Sequence, residues 1–365
     1  MSITSNWTDR DDRAPSAASY GRVGLGYGFL GAGLLGFFCL SLAYGSVRIP
    51  VAEVLSILFG EEAARSSWRV IIFDIRLPKA LTATLAGSAL AVSGLQMQTL
   101  FRNPLAGPFV LGISAGAGLG VAIVVLSVGA GVAVLVAGLG FLGNFGLAAA
   151  ASCGAGLALG VILLVSRWID NSMTLLIIGL MFGYAAGALV SVLVYFSASE
   201  AVQAYLIWTF GSFGGVTWSQ LQVLFFVSAA GLAISVLYSK PLNALLLGEH
   251  YAASMGLSVR RARLMILSSA SLLAGVTTAF CGPIAFLGVA VPHLTRSLFG
   301  TSDHRLLLPA VCLCGAILAL LSDLVARLPG SSLTLPLNAV TALIGAPVVT
   351  WVILKRRNLR ASFGS

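Results

Sequence analysis

Three histidines, five cysteines and twelve carboxylates are the side chains with which this 365-residue chain could bind a metal or move protons. His250, His293 and His304 form no His-Glu-x-x-His zinc pattern, and no Gly-x-Ser-x-Gly nucleophile elbow occurs. Cys39, Cys153, Cys281, Cys312 and Cys314 all lie in or at the ends of apolar stretches. Cys312-x-Cys314 has the wrong spacing for a Cys-x-x-Cys redox or zinc site, so the cysteines read as small packing residues. Asp323 is the one carboxylate clearly inside an apolar run. Arg327 follows four residues later, on the same helix face, and is expected to pair with it. A proton relay is the poorer reading, because relays run deeper and use several groups. A P-loop needs Gly-Lys-Ser/Thr, and none of Lys79, Lys240 and Lys355 follows a glycine. Catalytic, cofactor-binding and metal-ligating residues are therefore not expected. Any uphill transport must draw its energy from another polypeptide. This weakens two alternatives, an intramembrane enzyme and an ion-coupled secondary transporter that would depend on Asp323.

These residues sit among elements of unusual composition. The chain is 58% hydrophobic and only 9% charged, against about 25% charged in soluble domains. Apolar runs of about 20 residues recur along it, enough for a helix to cross a hydrocarbon core of roughly 30 Å. Backbone groups in lipid must be satisfied internally, and the alternation of a barrel is missing, so the fold class is all-α, a polytopic membrane protein. Ten spans are expected, at 24–43, 78–100, 109–127, 146–165, 174–196, 219–238, 264–281, 284–299, 306–326 and 336–354. The Gly-rich stretch 128–145 leaves the boundary between the third and fourth undefined. Residues 1–23 form a polar extension, 24–357 the membrane domain and 358–365 a tail. The first span reads as uncleaved, with cleavage after Ser41-Leu42-Ala43 as the alternative.

Charge supports this topology. With an N-terminus in the cytoplasm, only Arg48, Arg65, Arg69, Arg76, Lys79 and Arg327 of the 21 Lys and Arg fall outside. That bias obeys the positive-inside rule, and an even number of spans returns the C-terminus to the cytoplasm. The net charge of +9 gathers at span ends without interleaved aromatics, so nucleic acid is not an expected partner. Gly112, Gly116 and Gly120, and likewise Gly179, Gly183 and Gly187, recur every four residues, which suits close helix packing. Gly107-Pro108 and Gly282-Pro283 open runs of opposite direction, a weak hint of an inverted repeat.

The longest cytoplasmic loop, 240–263, is the most informative segment. It reads as a short helix carrying Glu249, a break at Gly256 and a second short helix from near Ser258 that opens with Arg260, Arg261 and Arg263. It suits docking of a soluble partner; a plain linker with topogenic arginines is the alternative. Residues 247–256 resemble the L-G-E-x-x-A-x-x-L-G coupling element of FecCD-type permeases, the membrane subunits of type II ABC importers for ferric siderophores, haem and cobalamin. Arg76-Leu77-Pro78-Lys79 is similar to that family's R-L-P-R, and Arg102-Asn103-Pro104-Leu105-Ala106 with Leu111-Gly112 to its N-P-L-A…L-G. Further matches are residues 282–288, Val291-Pro292-His293, Asp303-His304-Arg305 and residues 343–347. The resemblance spans about 24–357.

The resemblance implies a type II ABC importer permease fold, two permease subunits (a second copy or a paralogue) and two copies of an ATPase. It also implies a periplasmic or lipoprotein substrate-binding protein. It assigns Arg76, Lys79 and Arg327 to binding-protein docking, with Lys79 standing where an arginine is usual. It assigns Asn103 and Leu105, and more weakly Asn171 and Ser172, to the cytoplasmic gate. Gly248, Glu249, Ala253, Gly256, Arg260 and Arg261 would couple to the ATPase. The expected location is the cell inner membrane, surrounded by lipid, with both termini cytoplasmic. A ferric siderophore is the first expectation for cargo, with haem and cobalamin as alternatives. Tyr184 and Tyr195 are candidates to line the path, although core packing is the simpler role.

Overall fold

The computed structural model describes residues 17–45, 47–61, 64–127, 141–169, 172–327 and 334–356. The first helix, α1 (Ala17–Ala43), is followed by short α2 (Val51–Leu58) and α3 (Ser66–Val70) and by long α4 (Leu77–Leu100). Next come α5 (Ile113–Ser127), α6 (Phe141–Val165), α7 (Ser172–Tyr195), α8 (Ser199–Thr209) and α9 (Trp218–Leu237). The chain continues through α10 (Ser239–Leu246), α11 (Glu249–Ser254), α12 (Val259–Cys281), α13 (Leu287–Phe299), α14 (His304–Ala326) and α15 (Leu337–Arg356). The described residues contain no strand, only an isolated bridge between Arg327 and Thr334. Among the described residues, seven helical segments are long and apolar enough to cross a membrane, and Ile113–Leu126 and Leu337–Trp351 are shorter apolar helices.

Each of the ten expected spans falls on a helix. Helix α1 begins at Ala17, inside the stretch read as the polar extension, and its membrane-length apolar segment runs from Val23 to Ala43. The tail 358–365 lies outside the described residues, as does most of the stretch whose boundary was undefined.

Helix α4 is the hub, flanked by α14, α12, α13 and α9. Its approach is unusual. Pro78 lacks an N–H, so the hydrogen-bond ladder is interrupted there, and the six residues Ile71–Arg76 just before it take π-helical form. Helix α14 runs antiparallel to α4: His304 meets Thr99 at one end, and Asp323 meets Lys79 at the other. Small residues let these helices close. A methyl group placed on Gly87 would lie 2.2 Å from the Gly315 carbonyl oxygen, and one on Gly94 would lie 1.7 Å from that of Gly288.

The expected eighth span is a half-length helix. With 13 residues, α13 is about 20 Å long at 1.5 Å per residue, too short for a full crossing. Gly282 (φ 73°) and Phe286 (φ 66°) break the chain before it. A second broken segment lies alongside, after α8, a helix that no apolar run of full length announces. The two are joined directly by one backbone bond and bridged by Asn338 of α15. Ser212 N–H donates to Cys281 O at 2.8 Å, Ala285 N–H to Asn338 Oδ1 at 3.0 Å, and Asn338 N–H to Phe210 O at 3.0 Å. Irregular backbone within a membrane domain is tolerated only where protein supplies such partners. The other Gly-Pro also opens a break, a 3-10 turn at Pro108–Leu111 that ends on Gly112 (φ 73°). The breaks meet: a methyl group on Gly288 would lie 2.5 Å from Pro108 Cδ.

The two glycine ladders behave differently from their spacing. Gly116 and Gly120 of α5 pack against Gly154 and Ala150 of α6, and Gly112 against Gly179. Gly183 makes only ordinary contacts, and Gly187 faces open space. Tyr184 and Tyr195 are exposed on the single chain rather than packed in its core.

Candidate functional site

Polar groups concentrate at the two ends of α4 and α14. At the first end stand Arg76, Lys79, Arg327 and Asp323. Arg76 closes the π segment and is 4% exposed. It donates to Leu42 O at 2.6 Å and Ala43 O at 2.9 Å, and also to Val47 O. The Leu42 and Ala43 carbonyls lie in the last turn of α1, where no intrahelical donor remains, so Arg76 acts as that helix's cap. Lys79 Nζ lies 2.9 Å from Asp323 Oδ1, and Arg327 pairs with Asp323 Oδ2. Arg327 Nη1 also donates to Tyr44 O at 3.1 Å. The expected Asp323–Arg327 pair is present, and Lys79 joins it from α4.

The three docking candidates thus sit together but make internal contacts, and Arg76 is too buried to meet a partner directly. Positive charge remains in surplus over the single carboxylate. Beside the cluster opens a cavity of about 280 Å³ lined by Leu40, Tyr44, Gly45, Arg48, Leu324 and Arg327. Exposed Arg48, to which the motifs assigned no role, brings a further cation to it. Its position after the first span was the only signal available.

At the second end, the 101–107 turn follows α4. Arg102 adopts φ 47°, and Asn103 Oδ1 accepts from Leu105 N–H at 2.9 Å. That local bond is an Asx turn, the usual reason asparagine occupies such a position. It leaves the Leu105 side chain 49% exposed. The turn is fastened to α13 by His293 Nε2 at 2.5 Å from Pro104 O. His293 entered the sequence reading as a histidine without a zinc pattern and as part of a motif, and its partner lies 189 residues away. Asn171 lies outside the described residues. Ser172 opens α7, and its hydroxyl donates to Glu249 Oε1 at 2.5 Å.

The coupling loop has the expected break, with Gly256 at φ 84°, and a second left-handed glycine at Gly248, φ 111°. Both conformations are disfavoured for any residue with a Cβ. Two details differ from expectation. The second helix is not a short surface piece: α12 continues from Val259 to Cys281, so Arg260, Arg261 and Arg263 ride on a spanning helix. The alanine that anchors α11 is Ala252, fully buried, whereas Ala253 is exposed beside Tyr251, Ser254 and Met255. The Glu249 side chain is 32% exposed, but its carboxylate faces Arg263. Its two oxygens each lie 3.0 Å from Arg263 Nη2, and Arg263 is 2% exposed. Arg260 is exposed but donates to Arg167 O at 2.7 Å; Arg261 is exposed.

Preceding helix α10 is tied in as well. Asn243 Oδ1 accepts from His304 N–H at 2.8 Å and lies 2.7 Å from His304 Nδ1, while Asn243 Nδ2 donates to Asp303 Oδ1 at 2.6 Å. His304 Nε2 reaches Thr99 Oγ1 of α4 at 2.8 Å. Burial raises the Asp303 carboxyl, but hydrogen bonds from Arg305 N–H and Asn243, with the Arg305 charge, outweigh it and hold the group below the usual carboxylate range.

An all-helical bundle with a locked, glycine-bounded helix at one end and a cationic cluster at the other has close parallels. A family model for the FecCD transport family matches residues 33–355. The vitamin B12 import system permease protein BtuC of Citrobacter koseri is 38% identical over 318 residues, 86% of this chain and 93% of that protein. Its namesake from Klebsiella pneumoniae is 39% identical over 324 residues, 89% of this chain and 92% of that protein. A solved structure of a metal-chelate type ABC transporter in an inward-facing conformation superposes with a TM-score of 0.78 at 29% identity, covering 91% of this chain and 99% of that one. The chain belongs to the FecCD transport family and is a multi-pass membrane permease of an ABC importer.

Proposed function

We propose that the chain imports an intact metal chelate across the inner membrane, with its Glu249 end in the cytoplasm and its Asp323 end outside. Two permease subunits, each a copy of this chain or a paralogue, form the path, and two ATPase subunits dock on α11. The observation that carries this reading is the build of α11. It projects Tyr251, Ser254 and Met255 into solvent from a base fixed by buried Ala252 and Arg263. A protruding helix with a rigid base accepts a push and passes it on.

At the other end, Arg48, Lys79 and Arg327 offer charge-assisted partners to acidic side chains of a substrate-binding protein. Arg76 contributes through the fold, by holding α1. The turn around Asn103 and Leu105, with Ser172, narrows the cytoplasmic mouth.

Two cargo readings stand side by side. The names of the relatives at 38% and 39% identity favour a cobalamin. The motif resemblance extends equally to ferric siderophores. Both predict a permease that does no bond chemistry and depends on the ATPase. Proteoliposomes containing this chain, its ATPase and its binding protein are expected to take up labelled cyanocobalamin or an iron-labelled siderophore only with internal ATP. Which label accumulates decides the cargo. Uptake driven by an ion gradient without the ATPase would sink the reading in favour of a secondary transporter.

A further inference from the structure

The segment joining α6 to α7 is held to the coupling region at three described points. Arg260 Nη2 donates to Arg167 O at 2.7 Å, Arg263 Nη1 to Ile169 O at 3.2 Å, and Ser172 Oγ to Glu249 Oε1 at 2.5 Å. Glu249 is the only one of these groups on α11 itself. Its carboxylate takes Ser172 with one oxygen and Arg263 with both. Charge-assisted bonds of this kind are about twice as strong as neutral ones, and Arg263 is almost fully buried.

Helix α11 has six residues and glycines in left-handed conformations at both ends, so its own backbone is a poor transmitter of force. Buried Ala252 seats it on the bundle, and the Glu249 carboxylate ties it to Ser172 at the start of α7. We propose that Glu249 is an internal strut: it makes α11 and the start of α7 move as one body when the ATPase displaces α11. In this role it is a positioning residue that sets the Ser172 gate segment, not a contact to the ATPase. The outward face of α11, with Tyr251, Ser254 and Met255, is left for that contact. Arg263 then serves as the fixed abutment, since it holds both Glu249 and the Ile169 carbonyl from a spanning helix.

The inference rests on the proposed reading that α11 receives the ATPase, and the test separates the two. Cysteines at exposed Ile177 of α7 and exposed Ser254 of α11, in a background without the native cysteines, carry a spin-label pair across the strut. The chain is purified with its ATPase, and the pair distance is measured without nucleotide and with ATP plus vanadate. With Glu249 intact the distance is expected to be the same in both states. In Glu249→Gln it is expected to shift by about 2 Å or more with nucleotide, the scale on which packed elements slide. Ser172→Ala removes the hydroxyl link and leaves the Arg263 pair in place, so it keeps the test valid if Glu249→Gln folds poorly; a smaller shift is expected there. A nucleotide-independent distance in both variants overturns the strut. Loss of the ATPase from Glu249→Gln alone also overturns it, by making Glu249 a docking residue. If no ATPase accompanies even the unsubstituted chain, the functional reading fails instead.

Discussion

Replacing Gly94 by alanine tests the idea that α4 and α13 meet backbone to backbone. The added Cβ would lie 1.7 Å from Gly288 O, 2.4 Å from Gly288 C and 2.6 Å from Gly288 Cα, whereas ordinary contact begins at 3.4 Å. All three atoms are main chain, so no rotamer change can make room, and α13 must retreat by about 1.7 Å, the difference between 3.4 Å and 1.7 Å. It has little freedom to do so, because Gly288 already abuts Pro108 on another side and His293 is fixed to Pro104 O. Overpacking a filled interior costs about 1–3 kcal/mol. A rigid neighbour places Gly94→Ala at the upper end, about 3 kcal/mol. At roughly 2 °C per kcal/mol for a large chain, the melting temperature of the detergent-purified protein should fall by about 6 °C. Gly187→Ala is the control, since a methyl group there meets nothing within 4 Å. Its melting temperature should be unchanged or slightly raised by alanine's better helix propensity. If Gly94→Ala melts within about 1 °C of Gly187→Ala, the close approach of α4 and α13 is wrong.

Three further outcomes follow from the polar ends. Asp323→Ala strips two largely buried cations, Lys79 and Arg327, of their shared carboxylate; loss of such a pair costs about 3–5 kcal/mol. Thermal unfolding should show the drop, Lys79→Met in the same chain should recover part of it, and an unshifted melt would remove Asp323 from the role of anchor. Docking of a binding protein at this end should weaken as salt rises and weaken again in Arg48→Glu. Affinity independent of salt and of Arg48 would refute the electrostatic assignment. The pH dependence follows from Asp303, whose depressed pKa contributes stability that is present above the ordinary carboxylate pKa and lost as pH falls through the folded value. Stability measured below about pH 4 should therefore fall more steeply for the wild type than for Asp303→Asn; identical acid limbs would show that the Asp303–Asn243 tie contributes nothing.

Much of the architecture was legible because membrane helices announce themselves locally. Ten runs of apolar residues marked ten helices, and a pair four residues apart, Asp323 and Arg327, was readable from helical periodicity alone. The break at Gly256 was readable for a similar reason, since a glycine between helix-forming stretches marks a turn. The shortness of α13 was not. Residues 284–299 are apolar throughout, and only the non-helical angles of Gly282 and Phe286, held by Ser212 and Asn338, show where the helix begins. Helix α8 escaped because its 11 residues are too few to cross a bilayer and its role depends on a neighbouring break. Ala253 was taken for the alanine of the coupling element, although the register of the L-G-E-x-x-A pattern already falls on Ala252, the residue that is buried.

The same division holds for the sites. Composition and hydropathy by themselves determined a helical membrane domain, because lipid leaves the backbone no other partners. Motif order by itself determined the family. Neither said which way a side chain turns. Arg76 reads as an outer cation, yet it caps a helix that ended 33 residues earlier. Glu249 reads as a surface acid, yet it faces Arg263 and Ser172, 14 and 77 residues away. Only the tertiary structure decided these, because the preference of a charge for a distant partner over water depends on burial, and burial is a property of the assembled bundle.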